Sequence, residues 1–165
     1  MKQNKYLITG AAGFVAGYFL DLLFRNEPDA RVLAADIAEQ LPAHFIQVPY
    51  RKLNLLDEAD VYSVLNEFKP DYILHLASIS SVSESWNRPK FSFINNTNIF
   101  LNIVENVRLL DLPCTILSVG SSEEYGNYPI EEMPLQETYQ LHPSNPYSVA
   151  RTAQEMLEDL FVNGY

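Results

Sequence analysis

Two glycines near the start of the chain have the spacing of a phosphate-binding turn. Gly10 and Gly13 follow a short apolar run that predicts a buried strand, and an amphipathic helical pattern begins within a few residues. The first glycine allows a tight turn, and the second lets the backbone approach a pyrophosphate at the N-terminus of the helix. The third glycine position of this motif holds Ala16. Dinucleotide binding and a strand-to-helix turn without a ligand are therefore both open interpretations.

A carboxylate at the end of the second predicted strand favours dinucleotide binding. Asp36 ends the apolar run 31–36, roughly 20 residues beyond the glycine loop, where a Rossmann unit places the acid that binds the adenosine ribose. A carboxylate there repels a 2′-phosphate, so NAD(H) is favoured and NADP(H) is the alternative cofactor. The other interpretation of Asp36 is a solvent-facing aspartate at a strand end, which its position relative to the loop disfavours.

The histidine and cysteine residues do not predict a metal site or a nucleophile. His75 lies inside the apolar run 72–77, which indicates a core histidine with satisfied hydrogen bonds. No second histidine or cysteine stands at ligand spacing, so we predict no metal site. Cys114 is the single cysteine and lies in an apolar run, which favours a packed core thiol, excludes an internal disulfide and fits a reducing compartment.

An alternation of strands and helices must position these residues. The predicted strands are at Leu7–Ile8, 31–36, near 45–48, 72–77 and 114–119, and the predicted helices follow the glycine loop, Asp57, position 91 and Pro146. Residues 127–146 hold four prolines and predict an irregular excursion. This order predicts an α/β fold with a doubly wound parallel sheet and right-handed crossovers.

The polar segment 78–88 begins where the fourth predicted strand ends. In an open α/β sheet the ligand crevice lies outside the carboxyl ends of the strands. Serines in this segment are therefore candidates for substrate contact, and a serine-rich loop without a ligand is the alternative interpretation.

Composition narrows the classes of partner. The chain of 165 residues is long enough for one domain, with 47% hydrophobic and 19% charged residues. A net charge of −10 argues against a nucleic-acid surface but allows an anionic ligand, because backbone N–H groups can hold phosphate. No apolar run approaches the roughly 20 residues needed to span a bilayer, and the first residues do not predict a signal peptide. We expect a cytoplasmic domain without a membrane partner.

Taken together, the motifs resemble those of the extended short-chain dehydrogenase/reductases that act on nucleotide sugars (the NAD-dependent epimerase/dehydratase family). The resemblance covers all 165 residues and rests on four motifs in order: Thr9-Gly10-x-x-Gly13-Phe14, His75-Leu76-Ala77, Ser121, and Tyr147-x-x-x-Arg151 where the family has Tyr-x-x-x-Lys. Within the family, Ser81-Val82-x-x-Ser85-Trp86-x-x-Pro89 and the run 120–126 are most similar to GDP-4-keto-6-deoxy-D-mannose reductases. GDP-mannose 4,6-dehydratases are next.

The resemblance implies roles for the candidate catalytic residues. Reduction of a sugar C4 ketone needs a hydride and a proton, and a tyrosine with a pKa of about 10 needs nearby positive charge to serve at neutral pH. Tyr147 would donate the proton, Ser121 would hydrogen-bond the carbonyl oxygen, and Arg151 would supply the charge. A dehydratase would use Glu123 and Ser122 as acid and base. Arg151 keeps the charge of the usual lysine but not its compact shape.

The resemblance also implies a cofactor site and a substrate site. Cofactor contacts are expected from residues along the whole chain: Gly10, Gly13, Phe14, Val15, Asp36, Asn54, Leu55, Leu76, Ala77, Ser78, Asn96, Tyr147 and Arg151. Substrate contacts are expected from Ser80, Ser81, Ser85, Ser121, Ser122 and Glu123. Asn54 replaces a usual aspartate, and Asn96 lacks the expected Gly-Thr pair after it, so a surface asparagine is the alternative for position 96.

The predicted function is a nucleotide-sugar oxidoreductase that reduces a GDP-4-keto-6-deoxy sugar at C4 with NAD(P)H. The alternatives are a GDP-mannose 4,6-dehydratase, another nucleotide-sugar epimerase or dehydratase, and a non-catalytic nucleotide-binding scaffold. We expect residues 1–165 to form one NAD(P)-binding Rossmann domain, a fragment of a longer enzyme that lacks the C-terminal substrate region.

The resemblance further implies a homodimer formed by helices 91–110 and 147–163. One apolar stripe holds Ile103, Val107 and Leu110, and the other holds Met156, Leu160 and Phe161. The alternative is that both stripes cover the sheet.

Overall fold

The computed structural model describes residues 3–164 and contains a parallel five-stranded sheet. Within those residues the strands are β1 (Lys5–Thr9), β2 (Arg31–Asp36), β3 (Tyr50–Lys52), β4 (Tyr72–His75) and β5 (Thr115–Ser118). The helices are α1 (Phe14–Asn26), α2 (Glu58–Phe68), α3 (Val82–Asn87), α4 (Pro89–Leu109) and α5 (Pro146–Gly164). Single 3₁₀ turns form at Ala43–Phe45, Ser122–Tyr125 and Ile130–Glu132.

The strand order confirms the doubly wound α/β prediction. The sheet runs β3-β2-β1-β4-β5 with every pair parallel, and Leu7 of β1 lies between Leu33 of β2 and Ile73 of β4. The chain therefore adds β2 and β3 on one side of β1, and then crosses back to add β4 and β5 on the other side. The strand order reverses between β1 and β4, and ligands of such sheets bind at the carboxyl ends near this reversal.

The chain divides into two units. The first unit comprises the residues up to Ser78 together with Asn102–Val119, and so holds the sheet, α1, α2 and the end of α4. The second unit comprises Ile79–Leu101 and the residues from Gly120 onward, and so holds α3, the start of α4, two of the 3₁₀ turns and α5.

The core of the first unit follows the alternation of side chains along the strands. Ile8 points to the face that α1 covers and packs with Leu20 and Leu74, whereas the adjacent Leu7 points to the opposite face with Ile73. Pro42 begins the turn that carries Phe45 into the cluster around Ile8.

The strand predicted near 45–48 was wrong. Residues Ala43–Phe45 form a 3₁₀ turn, and the strand lies at Tyr50–Lys52. Phe45 and Val48 are three positions apart and are both buried in the α1 cluster, so their apolar character reflects turn packing and not a strand. A Cβ atom at Gly17 would lie 3.0 Å from the Phe45 ring, which shows how closely α1 approaches this turn.

The helix predicted after Asp57 is confirmed. The Asp57 carboxylate accepts a hydrogen bond from the backbone N–H of Asp60 at 3.1 Å, which caps α2. The helix ends where Lys69 adopts a left-handed conformation with φ of 49°, directly before Pro70. The far end of α4 reaches this region, since Asn102 donates to the Leu55 carbonyl at 2.8 Å.

No helix was predicted in the polar segment 78–88, but the structure has α3 within it. Ser81 caps this helix by accepting from the backbone N–H of Glu84 at 3.1 Å. The Ser81-x-x-Glu84 spacing is that of a capping box and was the overlooked sequence signal.

The two predicted apolar stripes differ in exposure. On α4, Ile103 is fully buried, whereas Val107 on the same helix and Leu110 directly after it are half-buried. On α5, Met156 and Leu160 remain 59% and 65% exposed. Within residues 3–164, no helix combines the length and apolar character that crossing a bilayer demands.

Candidate functional site

The glycine loop of the first unit requires glycine at position 10. Gly10 has a φ of 69°, and a Cβ atom there would lie 2.6 Å from the backbone nitrogen of Ala77. Any side chain would therefore be strained and would also collide with the backbone that follows β4. The N–H of Gly13 donates to the Gly10 carbonyl at 3.0 Å and closes the turn.

The N-terminus of α1 is open to an anion. Gly13 is the N-cap and supplies no side-chain cap, and among the described residues of α1 none in the first turn is acidic. The first N–H groups of a helix lack partners within it and carry partial positive charge, so an uncapped end of this kind fits a pyrophosphate. The side chains of Phe14 and Val15 are exposed here. These two residues could therefore contact a ligand through their backbone N–H groups or through side-chain packing.

Asp36 lies directly against this loop. One carboxylate oxygen accepts from the N–H of Ala12 at 3.0 Å, and the other accepts from the N–H of Ala38 at 2.9 Å. Each oxygen keeps a further lone pair, so the carboxylate can still accept from the hydroxyls of a ribose. The pairing of β1 with β2 thus brings together the two features that predicted a dinucleotide site.

Other candidates in the first unit lie at the carboxyl ends of the strands. Leu55 and Leu76 are buried or half-buried, and Asn54 is exposed with its amide oxygen accepting from Leu56 N–H at 3.1 Å. The Ser78 hydroxyl is buried and has no hydrogen-bond partner among the described residues, which suits a ligand contact.

His75 is confirmed as a core histidine. Its Nδ1 lies 2.8 Å from the hydroxyl oxygen of Thr9, and the residue is buried in β4. Within residues 3–164, no three histidine, cysteine, aspartate or glutamate side chains cluster closely enough to hold a metal ion. Burial raises the pKa of the Cys114 thiol to about 11, which keeps it protonated and unreactive at neutral pH.

In the second unit, Asn96 is a buried anchor and not a surface residue. Its amide nitrogen donates to the Ile79 carbonyl at 3.0 Å, and its amide oxygen accepts from the Ile79 N–H at 2.8 Å. The side chain therefore holds the backbone of the segment that follows β4. Ser85 is also internal, because it is fully buried and its hydroxyl donates to the Val82 carbonyl at 2.7 Å, whereas Ser80 is exposed.

A capping box orients Ser121. Its hydroxyl oxygen accepts from the Glu123 N–H at 3.2 Å, and its own N–H donates to the Glu124 carboxyl at 2.6 Å. Because the hydroxyl oxygen accepts here, its proton remains available to donate to a substrate oxygen. Ser122 and Glu123 are exposed beside it, and the Glu123 carboxylate accepts from the amide of Asn145 at 2.8 Å.

The start of α5 is fixed by Asn145. Its side-chain oxygen accepts from the Ser148 N–H at 2.8 Å, and its own N–H donates to the Ser148 hydroxyl at 3.1 Å. Pro146 occupies the first helical position, where the missing N–H is not needed. These contacts set the orientation of Tyr147 at the next position.

Arg151 contacts the hydroxyl of Tyr147 one helical turn away. Its Nε donates to the phenol oxygen at 3.3 Å, and the guanidinium carbon lies 5.5 Å from the ring centroid. A second guanidinium nitrogen donates to the side chain of Gln154 at 2.8 Å. Both Tyr147 and Arg151 are buried, so the positive charge acts on the phenol with little screening by water.

Ser121 and Arg151 line one cavity of about 310 Å³ in the second unit. The remaining lining residues are Gly120, Glu124, Tyr125, Gln154, Glu155 and Glu158. Of the predicted catalytic residues, Ser121 and Arg151 share the cavity, and Arg151 contacts Tyr147, which is not among the lining residues.

Glu124 is a buried member of this cavity that the sequence interpretation did not single out. Burial, together with a side-chain hydrogen bond to Glu155 and the negative charge of Glu155, raises the pKa of Glu124 to about 8. The Ser121 backbone N–H and the charge of Arg151 oppose that rise. The spacing Ser121-x-x-Glu124 of a capping box was the available sequence signal.

Comparison with protein families gives one match over most of the chain. The family model described as GDP-mannose 4,6 dehydratase matches residues 7–165. The chain is also similar to the UDP-glucose 4-epimerase of Mycoplasma pneumoniae, with 29% identity over 94% of this chain and 47% of that protein. It is 27% identical to the GDP-6-deoxy-D-mannose reductase of Pseudomonas aeruginosa, over 93% of this chain and 46% of that protein.

A solved structure shows the same architecture. The UDP-glucose 4-epimerase of Thermus thermophilus, determined in complex with NAD, matches with a TM-score of 0.86 and 25% identity. The match covers 98% of this chain and 51% of that one. The chain thus spans about half the length of the relatives it matches.

Proposed function

Since this chain belongs to the GDP-mannose 4,6 dehydratase family, we propose that it is the cofactor-binding part of a nucleotide-sugar oxidoreductase that acts at C4 of the sugar. The observation that carries the proposal is the hydrogen bond from Arg151 to the Tyr147 hydroxyl, at a cavity that Ser121 also lines. In the second unit, Tyr147 would be the proton donor, Arg151 the positive charge and Ser121 the second hydroxyl.

NAD(H) is the proposed cofactor, with NADP(H) as the alternative. The open N-terminus of α1 would hold the pyrophosphate, and Asp36 would accept from the adenosine ribose. When bound, a nicotinamide dinucleotide supplies or accepts the hydride. The Thermus thermophilus epimerase, whose structure contains NAD, supports this proposal at 25% identity. Asp36 favours NAD(H), because its charge repels a 2′-phosphate.

The residues of the second unit would manage the proton at the sugar oxygen. Tyr147 donates a proton to the oxygen as a carbonyl is reduced, or removes it as a hydroxyl is oxidised. Ser121 donates a hydrogen bond to the same oxygen, and Arg151 stabilises the phenolate that proton donation produces. A guanidinium stays charged at every relevant pH and cannot itself pass on the proton.

Reduction of a GDP-4-keto-6-deoxy sugar is the finer proposal, and dehydration of GDP-mannose is the second candidate. The reductase of Pseudomonas aeruginosa supports the first at 27% identity, and epimerases are similarly close. Glu123 favours the second, because Asn145 orients its carboxylate beside Ser122 and removal of water requires an acid and a base.

Product analysis tests both candidates. The chain is incubated with NADH and a GDP-4-keto-6-deoxy sugar, and separately with NAD and GDP-mannose or UDP-glucose. Consumption of NADH with formation of a C4 alcohol is the expected result. Loss of water from GDP-mannose without net change of cofactor indicates a dehydratase, and inversion at C4 indicates an epimerase.

Substitution of the tyrosine tests the mechanism. Tyr147→Phe should lower turnover by about 10²–10⁴-fold, the usual contribution of a positioned acid or base. Tyr128→Phe is the matched control, because the Tyr128 hydroxyl donates to the Gln140 carbonyl outside the cavity. Unchanged turnover in Tyr147→Phe would refute the catalytic assignment. Cofactor binding without conversion of any of these sugars would favour a non-catalytic scaffold, or a cofactor-binding part that needs the C-terminal substrate region for turnover.

We also propose a homodimer, formed through the helices of the second unit. Met156 and Leu160 expose one apolar stripe on α5, and Phe91 and Ile94 are exposed on the first turns of α4. Apolar residues repeated on helix surfaces favour burial against another helix.

A further inference from the structure

A groove in the second unit has no part in the proposed mechanism. Its volume of about 590 Å³ lies in the range of small-molecule sites. Its lining residues come from α3, from the start of α4 and from the segment that leads into α5: Trp86, Pro89, Lys90, Phe93, Pro143, Ser144, Asn145, Pro146 and Val149. We call it the Trp86 groove. It shares no lining residue with the cavity that holds Ser121 and Arg151.

The apolar side chains of the Trp86 groove are open to solvent. Trp86 is 63% exposed, Val149 43% and Phe93 40%. Removing such apolar surface from water is favourable, and exposed apolar side chains that adjoin one another mark binding sites. An indole, a phenyl ring and three proline rings present flat surfaces, which fit a flat aromatic ring better than a flexible chain.

Few polar side chains of the groove remain available to a ligand. The side-chain oxygen of Asn145 accepts from the Ser148 N–H at 2.8 Å, and its amide nitrogen donates to Glu123 at 2.8 Å. The hydroxyl of Ser144 and the ammonium of Lys90 are the other polar side-chain groups in the lining. A sugar ring has several hydroxyls that need partners once they are buried, so the groove does not fit a carbohydrate.

Lys90 gives the groove a positive charge. Within residues 3–164 this lysine has no ion pair, whereas the nearby Arg88 is paired with Glu84 at 3.4 Å. The second unit has nine aspartates and glutamates against three lysines and arginines, yet none of the nine acidic residues lines the groove. An anion is therefore attracted here and repelled by most of the second unit.

We infer that the Trp86 groove is a binding site for a flat aromatic ligand that carries one anionic group. The ring of the ligand contacts Trp86 and Phe93, and its anionic group pairs with Lys90. The inference goes beyond the proposed function, because none of the lining residues was assigned to catalysis, to the cofactor or to the sugar nucleotide.

The test uses the single tryptophan of the chain as its reporter. The indole N–H of Trp86 gives one signal in a ¹H–¹⁵N NMR spectrum, and the whole chain is titrated with naphthalenesulfonate without cofactor or sugar. We expect a saturable shift with a Kd of about 1 mM or lower. Naphthalenemethanol has the same ring without the charge and should bind about 2–5-fold more weakly, because an exposed ion pair contributes little.

Substitution of the lysine tests the charge. Lys90→Gln should remove the preference for naphthalenesulfonate and leave the affinity for naphthalenemethanol unchanged. Arg88→Gln is the matched control, because it removes a positive charge two residues away that does not line the groove, and the preference should persist. A preference that is absent from the wild type, or that both variants lose equally, would overturn the inference.

Substitution of a ring tests the aromatic contact. Phe93→Ala should weaken the binding of naphthalenesulfonate by about fivefold or more. Should this variant fail to fold, the heat of binding to Trp86→Leu provides the same measurement. Hexanesulfonate, an aliphatic anion, should also bind about fivefold or more weakly than naphthalenesulfonate. Equal binding of the two sulfonates, or unchanged binding in both ring variants, would overturn the inference.

The titration is independent of the proposed function, since it needs neither hydride transfer nor a sugar nucleotide. A saturable shift in a chain that converts no sugar supports the groove and counts against the proposed reaction. A Trp86 signal that changes with protein concentration but not with naphthalenesulfonate would show that a second copy covers the groove, and would overturn the inference.

Discussion

Glu124→Gln should change how the free energy of unfolding depends on pH, and the structure gives the sign of that change. The pKa of Glu124 rises from 4.5 to about 8 in the folded protein, so the folded state binds this proton more tightly than the unfolded state does. The contribution to the free energy of unfolding is therefore fully present below pH 4.5, and is lost as the pH rises to about 8. Glutamine has no proton to lose in this range.

The magnitude follows from the size of the shift. At about 1.4 kcal/mol for each unit of pKa, a rise from 4.5 to about 8 corresponds to a few kcal/mol of the free energy of unfolding. Such a loss is a large part of the roughly 5–15 kcal/mol typical of a domain.

Urea unfolding at several pH values between 4.5 and about 9 measures this difference. The wild-type free energy of unfolding should fall relative to that of Glu124→Gln across this range, and the two should run parallel above it. Other titrating groups cancel in the comparison, and Glu158→Gln should follow the wild type. Parallel curves throughout, or a wild type that gains stability relative to the variant, would refute the assignment of a buried neutral carboxyl.

Three further predictions concern the framework. Gly10→Ala should lower stability by about 3 kcal/mol or more, because of its φ of 69° and the contact with Ala77, whereas Gly13→Ala should cost about 1 kcal/mol; equal losses in urea unfolding would contradict this. Asp57→Ala should cost about 1 kcal/mol by removing the cap of α2, and an unchanged urea midpoint would count against the cap. Sedimentation at high micromolar concentration should detect a dimer that Met156→Glu dissociates, and a monomeric wild type would contradict the proposed interface.

The sequence predicted the parts of the fold that local chemistry dictates. A positive φ and a close backbone contact require glycine at position 10, so the glycine in the sequence motif predicted this local geometry. Asp36 ends a strand whose length is set by its apolar run, and the pairing of β1 with β2 then brings it to the loop. The start of the helix that carries Tyr147 and Arg151 was predicted at Pro146, because proline is a local signal for the first position of a helix.

Other features depended on packing between distant parts of the chain. Phe45 and Val48 have strand-like composition, and only their burial against α1 shows that they belong to a turn. Glu124 appears in sequence as one more acidic residue, because its burial arises where the 3₁₀ turn at 122–125 meets α5. The local capping signals at Ser81 and Ser121 were present and indicate where such turns form.

Binding of the cofactor at the glycine loop is the central claim, and titration with NADH and, separately, NADPH tests it most directly. We expect NADH to bind in the micromolar range, more tightly than NADPH, by nicotinamide fluorescence or heat. Asp36→Ala should weaken NADH binding by about 10–100-fold, since hydrogen bonds to a charged group contribute about 1.5–3 kcal/mol. Asp21→Ala, at an exposed position of α1, should leave it unchanged. Absence of binding to either dinucleotide, or equal binding by the two variants, would contradict the account.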